Sequence, residues 1–379
     1  MGAALTSRRL IINSQYFIYF GVMGVYLPYF NLYCYQLKFS GAQIGAMSAT
    51  RTVTLVVFPL IWGLLADRFQ LRRPIYIFCN FASALIWASF LFTSDFWVML
   101  TIATLHGIFY APIISFLETF TMEVLGEDKK QYGRARVWGS ISFIIVVLIL
   151  GKVISITSAS IIVSLILAGS LLQAGIATSI PAAGKKAANS DRVTIGGLFD
   201  HRLILFLVCG FLMLASHGTY YGFFSIHLAN LGYSGTFIGL SWALASIAEI
   251  VVMIQSDRIF RRFSLANVLI FSFAAAAMRW GIMFRAETAA PILFAQVLHA
   301  FSYGAFHVAS ILYIDQLTPT AAKTMGQAVN NAVSYGLGLM VGFFFNGWFY
   351  ETAGASVLFL GSAAVAVAGG LLFAFFHDR

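Results

Sequence analysis

Leu203 to Ala248 reads LILFLVCGFLMLASHGTYYGFFSIHLANLGYSGTFIGLSWALASIA, with no Asp, Glu, Lys or Arg anywhere in it. A helix needs roughly 20 apolar residues to cross the hydrocarbon core of a bilayer. This stretch is long enough for two crossings, and Asn230-Leu231-Gly232-Tyr233-Ser234-Gly235 provides the turn between them. Working outward, further charge-free runs appear at Leu10–Leu37, Pro74–Ser94, Phe96–Leu117, Val153–Gly184, Thr288–Ile314, Thr324–Tyr350 and Thr352–His377. Allowing one buried charge in some spans, the pattern predicts about twelve membrane helices in an all-α protein.

The composition agrees. Hydrophobic residues make up 60% of the chain and charged residues 10%, whereas a soluble domain carries about a quarter charged residues. The first apolar run is too long for a signal-peptide core and lacks a small-residue cleavage pattern after it, so it reads as span 1. Cys34, Cys79 and Cys209 lie in apolar segments without metal-ligand spacing, and three is an odd number. Neither a disulfide framework nor a metal site is expected.

The net charge of +9 is compatible with nucleic-acid binding by magnitude alone, but its distribution argues against that. With both termini in the cytoplasm, eighteen of the 23 Lys and Arg fall on inner segments, from Arg8 and Arg9 to Arg379. Lys38, Lys152 and Arg285 fall outside, and Arg51 and Arg279 lie within spans. This asymmetry is the positive-inside rule, and it predicts a multi-pass protein, of a bacterial inner membrane, with both termini cytoplasmic.

The chain also repeats itself. Phe39-Ser40-Gly41-Ala42-Gln43-Ile44-Gly45 recurs as Tyr233-Ser234-Gly235-Thr236-Phe237-Ile238-Gly239, and Leu105-His106 with Tyr110 recurs as Leu298-His299 with Tyr303. Asp67-Arg68 followed by Arg72-Arg73 recurs as Asp257-Arg258 followed by Arg261-Arg262. The offsets are all about 190 residues, half the chain. The expected organisation is a six-helix half at 1–180, a cytoplasmic linker at 181–202 and a second six-helix half at 203–379. Pro181-Ala-Ala-Gly184-Lys-Lys-Ala-Ala-Asn-Ser190 has the composition of a flexible linker.

After span 2, Gly63-Leu-Leu-Ala-Asp67-Arg68-Phe-Gln70-Leu-Arg72-Arg73 resembles the signature of the major facilitator superfamily: a Gly, an acidic-basic pair, a second Gly, then two basic residues. Gln70 replaces the second Gly. The resemblance implies the major facilitator fold, twelve helices in two pseudo-symmetric halves related in the same membrane sense. The expected role of Gly63, Asp67, Arg68, Arg72 and Arg73, with Asp257 and Arg258 in the second half, is a conformational latch. Gly63 would let helices approach closely, and Asp67 would pair with an Arg or face a helix N-terminus. The plainer alternative is that the arginines are anchors at the lipid surface.

Ionisable groups in mid-span are costly and usually functional. Arg51, Glu118, Glu249 and Arg279 are such groups, and Arg136 stands at the start of span 5. Tyr132-Gly133-Arg134-Ala135-Arg136-Val-Trp138-Gly139 resembles the start of span 5 in the lactose permease branch. Arg279-Trp280-Gly281-Ile282-Met283 with Gln296-Val-Leu298-His299 is closer to the phenylpropionate permease group. The resemblance implies that Glu118 partners Arg136, that both touch substrate, and that Arg279 and His299 belong to the coupling network. Phe143 stands where that branch has a sugar-stacking Trp, Ser302 where it has a proton-carrying acid, and Tyr221 and Phe224 where it has two further acids.

Glu249 and Arg279 are expected to form a second charge pair. His299 and His307, eight residues apart, fall on nearly one helix face and suit proton transfer near neutral pH. Tyr26, Tyr220 and Asn330 are candidates for the cavity wall. Each of these groups also has a structural reading, as an ion pair or hydrogen bond that holds helices together. The expectation is a monomeric, proton-coupled symporter importing a small organic solute, with an aromatic carboxylate favoured by buried arginines among many aromatics. A sugar or nucleoside symporter is the alternative, and an exporter of drugs or metabolites a third. Besides substrate and lipid no partner is expected, nucleic acid included, and no cofactor beyond a proton gradient. No nucleophile elbow, phosphate loop or metal cluster suggests an enzyme.

Overall fold

The structure, a computed structural model, describes residues 2–126, 131–181, 200–319 and 322–377. The expected linker at 181–202 lies almost wholly outside the described residues, as do Lys129 and Lys130.

Helices account for nearly all of the described chain, and no strand occurs among the described residues. In chain order they are α1 (Gly2–Gln36), α2 (Gly41–Phe69), α3 (Arg72–Ala88), α4 (Phe96–Leu125), α5 (Tyr132–Ile156) and α6 (Ile161–Ala177), then α7 (His201–Ser216), α8 (Gly218–Asn230), α9 (Gly235–Arg262), α10 (Leu265–Arg285), α11 (Ala289–Val297), α12 (Phe306–Leu317), α13 (Lys323–Asn330) and α14 (Leu339–Phe376). Two π-helical segments, Ala300–Ala305 and Asn331–Gly338, join α11 to α12 and α13 to α14.

Ten helical stretches are long and apolar enough to span a membrane. One of them, Met325–Phe376, is broken by Gly354 at φ 72° and so makes two passes. The shorter apolar α6 completes the twelve passes. The seventh pass is not one smooth helix as its sequence suggests: α7 ends at Ser216 and α8 restarts at Gly218, with His217 at the junction.

The chain forms two compact units, Met1–Phe39 with Val53–Ser190, and Ser40–Thr52 with Asp191–Arg379. The first three turns or so of α2 therefore belong to the C-terminal unit, where the Glu351 carboxylate accepts a hydrogen bond from the Gly41 N–H at 2.8 Å.

The sequence repeat has a local structural counterpart. After α1, Phe39 N–H bonds back to the Cys34 carbonyl at 3.1 Å with Lys38 at φ 69°. After α8, Tyr233 N–H bonds to the Leu228 carbonyl at 3.0 Å with Gly232 at φ 84°. Both are left-handed caps that satisfy the last carbonyls of a helix. Ser40 and Gln43 then cap α2 reciprocally, and Ser234 caps α9 by accepting from the Phe237 N–H.

Candidate functional site

The same aromatic frame occurs once in each unit. Tyr26 packs on Phe30 at 4.7 Å and against Trp87 at 5.9 Å, and His106 stacks on Tyr110 at 4.9 Å. In the C-terminal unit Tyr220 packs on Phe224 at 4.9 Å and against Trp280 at 5.9 Å, and His299 stacks on Tyr303 at 5.2 Å. Each residue of the second set lies 193 or 194 positions after its counterpart. The charges do not repeat. Ile86 and Leu55 stand where the second unit has Arg279 and Glu249, and Ile311 and Val329 where the first has Glu118 and Arg136.

In the N-terminal unit, Glu118 on α4 and Arg136 on α5 are both half-buried. No direct ion pair joins them. The Tyr132 hydroxyl donates to Glu118 Oε1 at 3.3 Å, and the Arg136 guanidinium lies over the Phe20 ring at 4.0 Å, with Tyr16 at 5.8 Å. The spacing of Glu118 and Arg136 brings them to one region, but an aromatic hydroxyl and an aromatic face take the contacts that a bare ion pair would use. Phe143 is half-buried one helical stretch further along α5, and Tyr26 is half-buried on α1.

The C-terminal unit holds the denser site. Arg279 is fully buried, at 0% exposure. Its Nη1 donates to His299 Nδ1 at 2.8 Å and its Nη2 to Gln296 Oε1 at 3.1 Å. Its guanidinium lies 4.1 Å from the Tyr220 ring and 4.4 Å from that of Trp280. An arginine in a hydrogen bond is always the donor, so His299 is neutral here and carries its proton on Nε2. That nitrogen faces Glu249 Oε2 at 3.6 Å. The expected Glu249–Arg279 pair is thus a three-membered row with His299 in the middle. Gly304, in the first π segment, makes room for it: a Cβ there would sit 3.1 Å from Glu249 Cγ. π segments inside a helix often mark functional sites.

His307 continues the row along α12. The rings of His299, Tyr303 and His307 stack with interplanar angles of 14° and 2°, and His307 Nδ1 bonds the Tyr335 hydroxyl at 2.7 Å. Tyr220 and Asn330, expected on a cavity wall, are buried instead, each at 1% exposure. Ring packing accounts for Tyr220; the Asn330 side-chain Oδ1 accepts from Ser334 Oγ at 2.8 Å. Arg51 is half-buried in the Ser40–Thr52 stretch and is not among the hydrogen-bond partners of Arg279.

His217, which the sequence does not single out, joins this cluster. Its Nδ1–H donates to the Met213 carbonyl at 2.9 Å, and its ring meets Trp280 edge-on at 5.0 Å and lies 6.2 Å from His299. Its helix break was the missing signal, since a histidine beside a glycine in a pass does not by itself end a helix.

The corner after α2 differs from its expected form. A Cβ built at Gly63 meets nothing within 4 Å, so this glycine mediates no close helix approach. Asp67 pairs with Arg72 at 2.7 Å, and Arg72 reaches Glu123 on α4 at 3.2 Å. Gln70 holds the turn that a glycine usually makes: it adopts φ 54° and its side chain donates to the Asp67 carbonyl at 2.7 Å. Arg73 turns to α6, donating to the Ile180 and Thr178 carbonyls at 2.8 and 2.6 Å. Arg68 lies exposed over the Phe69 ring. In the second half, Asp257 and Arg258 are exposed, and Arg258 donates to Gln255 at 2.8 Å.

Twelve apolar passes on a repeated six-helix plan, with buried charges set into aromatic frames, define a membrane carrier of the major facilitator type. The chain belongs to the MFS_1 like family, whose profile matches residues 10–361. It is similar to a probable 3-phenylpropionic acid transporter of Escherichia coli (strain K12), 26% identical over 367 residues covering 91% of this chain and 92% of that protein. It is also similar to a maltose permease of Geobacillus stearothermophilus, 26% identical over 371 residues covering 94% and 91%. The fold matches the crystal structure of the nucleoside transporter NupG with a TM-score of 0.85 at 18% identity, covering 98% of this chain and 99% of that one. The protein is a multi-pass membrane transporter of a small molecule, not an enzyme.

Proposed function

We propose that the protein is a proton-coupled symporter that imports a small organic carboxylate, an aromatic one in particular. The observation that carries this reading is the fully buried Arg279, flanked by the Tyr220 and Trp280 rings and linked to Glu249 through His299. A buried guanidinium attracts a carboxylate, the aromatic faces suit an aromatic ring, and a glutamate beside a neutral histidine provides a protonatable group. The likeness to a probable 3-phenylpropionic acid transporter supports the same substrate class.

The test is uptake of labelled 3-phenylpropionate into vesicles containing the purified protein, with empty vesicles subtracting passive entry of the neutral acid. An acid outer buffer should drive saturable uptake that Arg279→Gln abolishes. Protein-dependent accumulation of uridine or maltose with none of the acid would overturn the reading. A nucleoside or sugar symporter is the second reading, favoured by Glu118 and Tyr132, whose carboxylate and hydroxyl suit a polyol.

The monomer is the proposed working unit, in a bacterial inner membrane with both termini cytoplasmic. Residues 1–180 and 203–379 are its two moving halves, joined at 181–202, and the proton gradient supplies its energy. Asp67, Arg72 and Glu123 serve as its conformational latch. For the orientation, an impermeant thiol reagent added outside should label Glu287→Cys and spare Gln70→Cys. The reverse pattern overturns it.

A further inference from the structure

We infer that Glu249 and the carboxylate of the substrate act in turn as the counter-charge of Arg279, so that each monocarboxylate enters with one proton and no net charge moves. This rests on the proton-coupled carboxylate reading above.

The argument begins with the charges. Arg279 is sealed from solvent, and its direct partners are neutral: His299, Gln296 and two aromatic rings. The titratable groups around Glu249 include His299 on the α11 side, Arg279 on α10, Tyr220 and Tyr221 on α8, Tyr303 on the first π segment and Tyr335 on the second, with His217 behind His299. Among these, Arg279 is the one fixed positive charge and Glu249 the one negative charge. With Glu249 ionised the cluster is neutral. With Glu249 protonated it carries an uncompensated buried cation, which is strongly disfavoured inside a membrane.

The cluster is equipped to recover that balance with an anion. Arg279 Nε–H and the Tyr220 hydroxyl are sealed from solvent, and neither has an acceptor. These are donors, which a carboxylate, having only acceptors, is suited to satisfy.

The cycle balances. On the outer side, a proton from water bonds to a Glu249 carboxylate oxygen and the substrate carboxylate takes its place as the partner of Arg279. On the inner side, the carboxylate leaves, Glu249 gives its proton to water and resumes the counter-charge. Two charges of opposite sign cross together. A dicarboxylate would leave the cluster negative, and an amide would leave it positive, so the site selects monocarboxylates.

The experiment uses the reconstituted protein and the same labelled acid as the uptake assay above, with empty-vesicle flux subtracted. A potassium diffusion potential is imposed with and without a pH gradient. For one net charge, 100 mV is worth about 2.3 kcal/mol, or ~50-fold in accumulation. The expected result is uptake that follows the pH gradient and changes less than about twofold with the potential. Uptake driven by the pH gradient and also by the potential would overturn this inference while leaving proton coupling intact. Uptake indifferent to the pH gradient would sink both. As a second measurement, calorimetry of acid binding in two buffers of different ionisation enthalpy should show one proton taken up per molecule by the native protein at pH 8. The Glu249→Gln variant should take up none and bind with an affinity independent of pH. Proton uptake equal in both proteins would refute the role of Glu249.

Discussion

Replacing Arg279 by Lys keeps the buried charge and removes the planar fork. The guanidinium spans two acceptors on one facing helix, His299 Nδ1 at 2.8 Å and Gln296 Oε1 at 3.1 Å, while its faces lie 4.1 and 4.4 Å from two rings. A lysine ammonium is a compact point charge that cannot keep both bonds and both stacked faces. Losing one hydrogen bond to a charged group costs about 1.5–3 kcal/mol, and weakening the stacking at a desolvated site adds about 1 kcal/mol. The expected loss is therefore about 2.5–4 kcal/mol, which should lower the apparent unfolding temperature by several degrees. The chain provides its own reporter: Cys34, Cys79 and Cys209 are free and buried, so a thiol-reactive fluorophore reads unfolding directly. Gln296→Leu should lose less, and the double variant should show clear non-additivity, because both changes remove the same bond. If Arg279→Lys unfolds within a degree of the native protein, the fork does not organise this cluster and the site description above is wrong.

Three further outcomes follow from the geometry. Gly45→Ala places a Cβ 2.6 Å from the Phe343 carbonyl oxygen and 2.9 Å from Gly347 Cα, so it should cost about 1–3 kcal/mol; Gly361→Ala, which meets nothing within 4 Å, should be neutral or mildly stabilising, and equal effects in the thiol-fluorophore assay would contradict the packing. Arg73→Ala should lower the unfolding temperature because it uncaps α6 at the Ile180 and Thr178 carbonyls, a loss of about 1–2 kcal/mol. The exposed Arg68→Ala should change little, and similar shifts for the two would reject the cap. Tyr132→Phe removes the hydroxyl that holds Glu118 and should raise the KM for substrate about fivefold, a change of about 1 kcal/mol, with kcat nearly kept; an unchanged KM would show that this hydroxyl does not orient a substrate-facing carboxylate.

The spans were legible because lipid dictates composition: Leu203–Ala248 has no charge to misread. The break at His217 and the two π segments were not. They are set by packing among neighbours, and Ser216-His217-Gly218 or Ala300–Ala305 carries no local signal strong enough to oppose a helix. Helical spacing likewise shows which charges share a region but not what lies between them. Tyr132 beside Glu118 and His299 between Glu249 and Arg279 emerge only when side chains are placed. Gly63 shows the opposite error, in which a motif implied a close approach that the helix does not make.

The repeat carries more than the two-half organisation. Tyr26, Phe30, Trp87, His106 and Tyr110 recur as Tyr220, Phe224, Trp280, His299 and Tyr303, and the ring distances agree within a few tenths of an ångström. A frame that keeps its rings in both halves is satisfying a packing requirement common to both. The charges are confined to one half or the other: Arg279 and Glu249 have Ile86 and Leu55 as counterparts, and Glu118 and Arg136 have Ile311 and Val329. Packing alone is met by the apolar residue at each of these positions, so the ion in the other half is held at an energetic cost that packing does not require. The places where the two halves disagree are thus where specificity for a solute and coupling to a proton have to be sought, and in the C-terminal half that search leads to a single buried arginine and the acid that balances it.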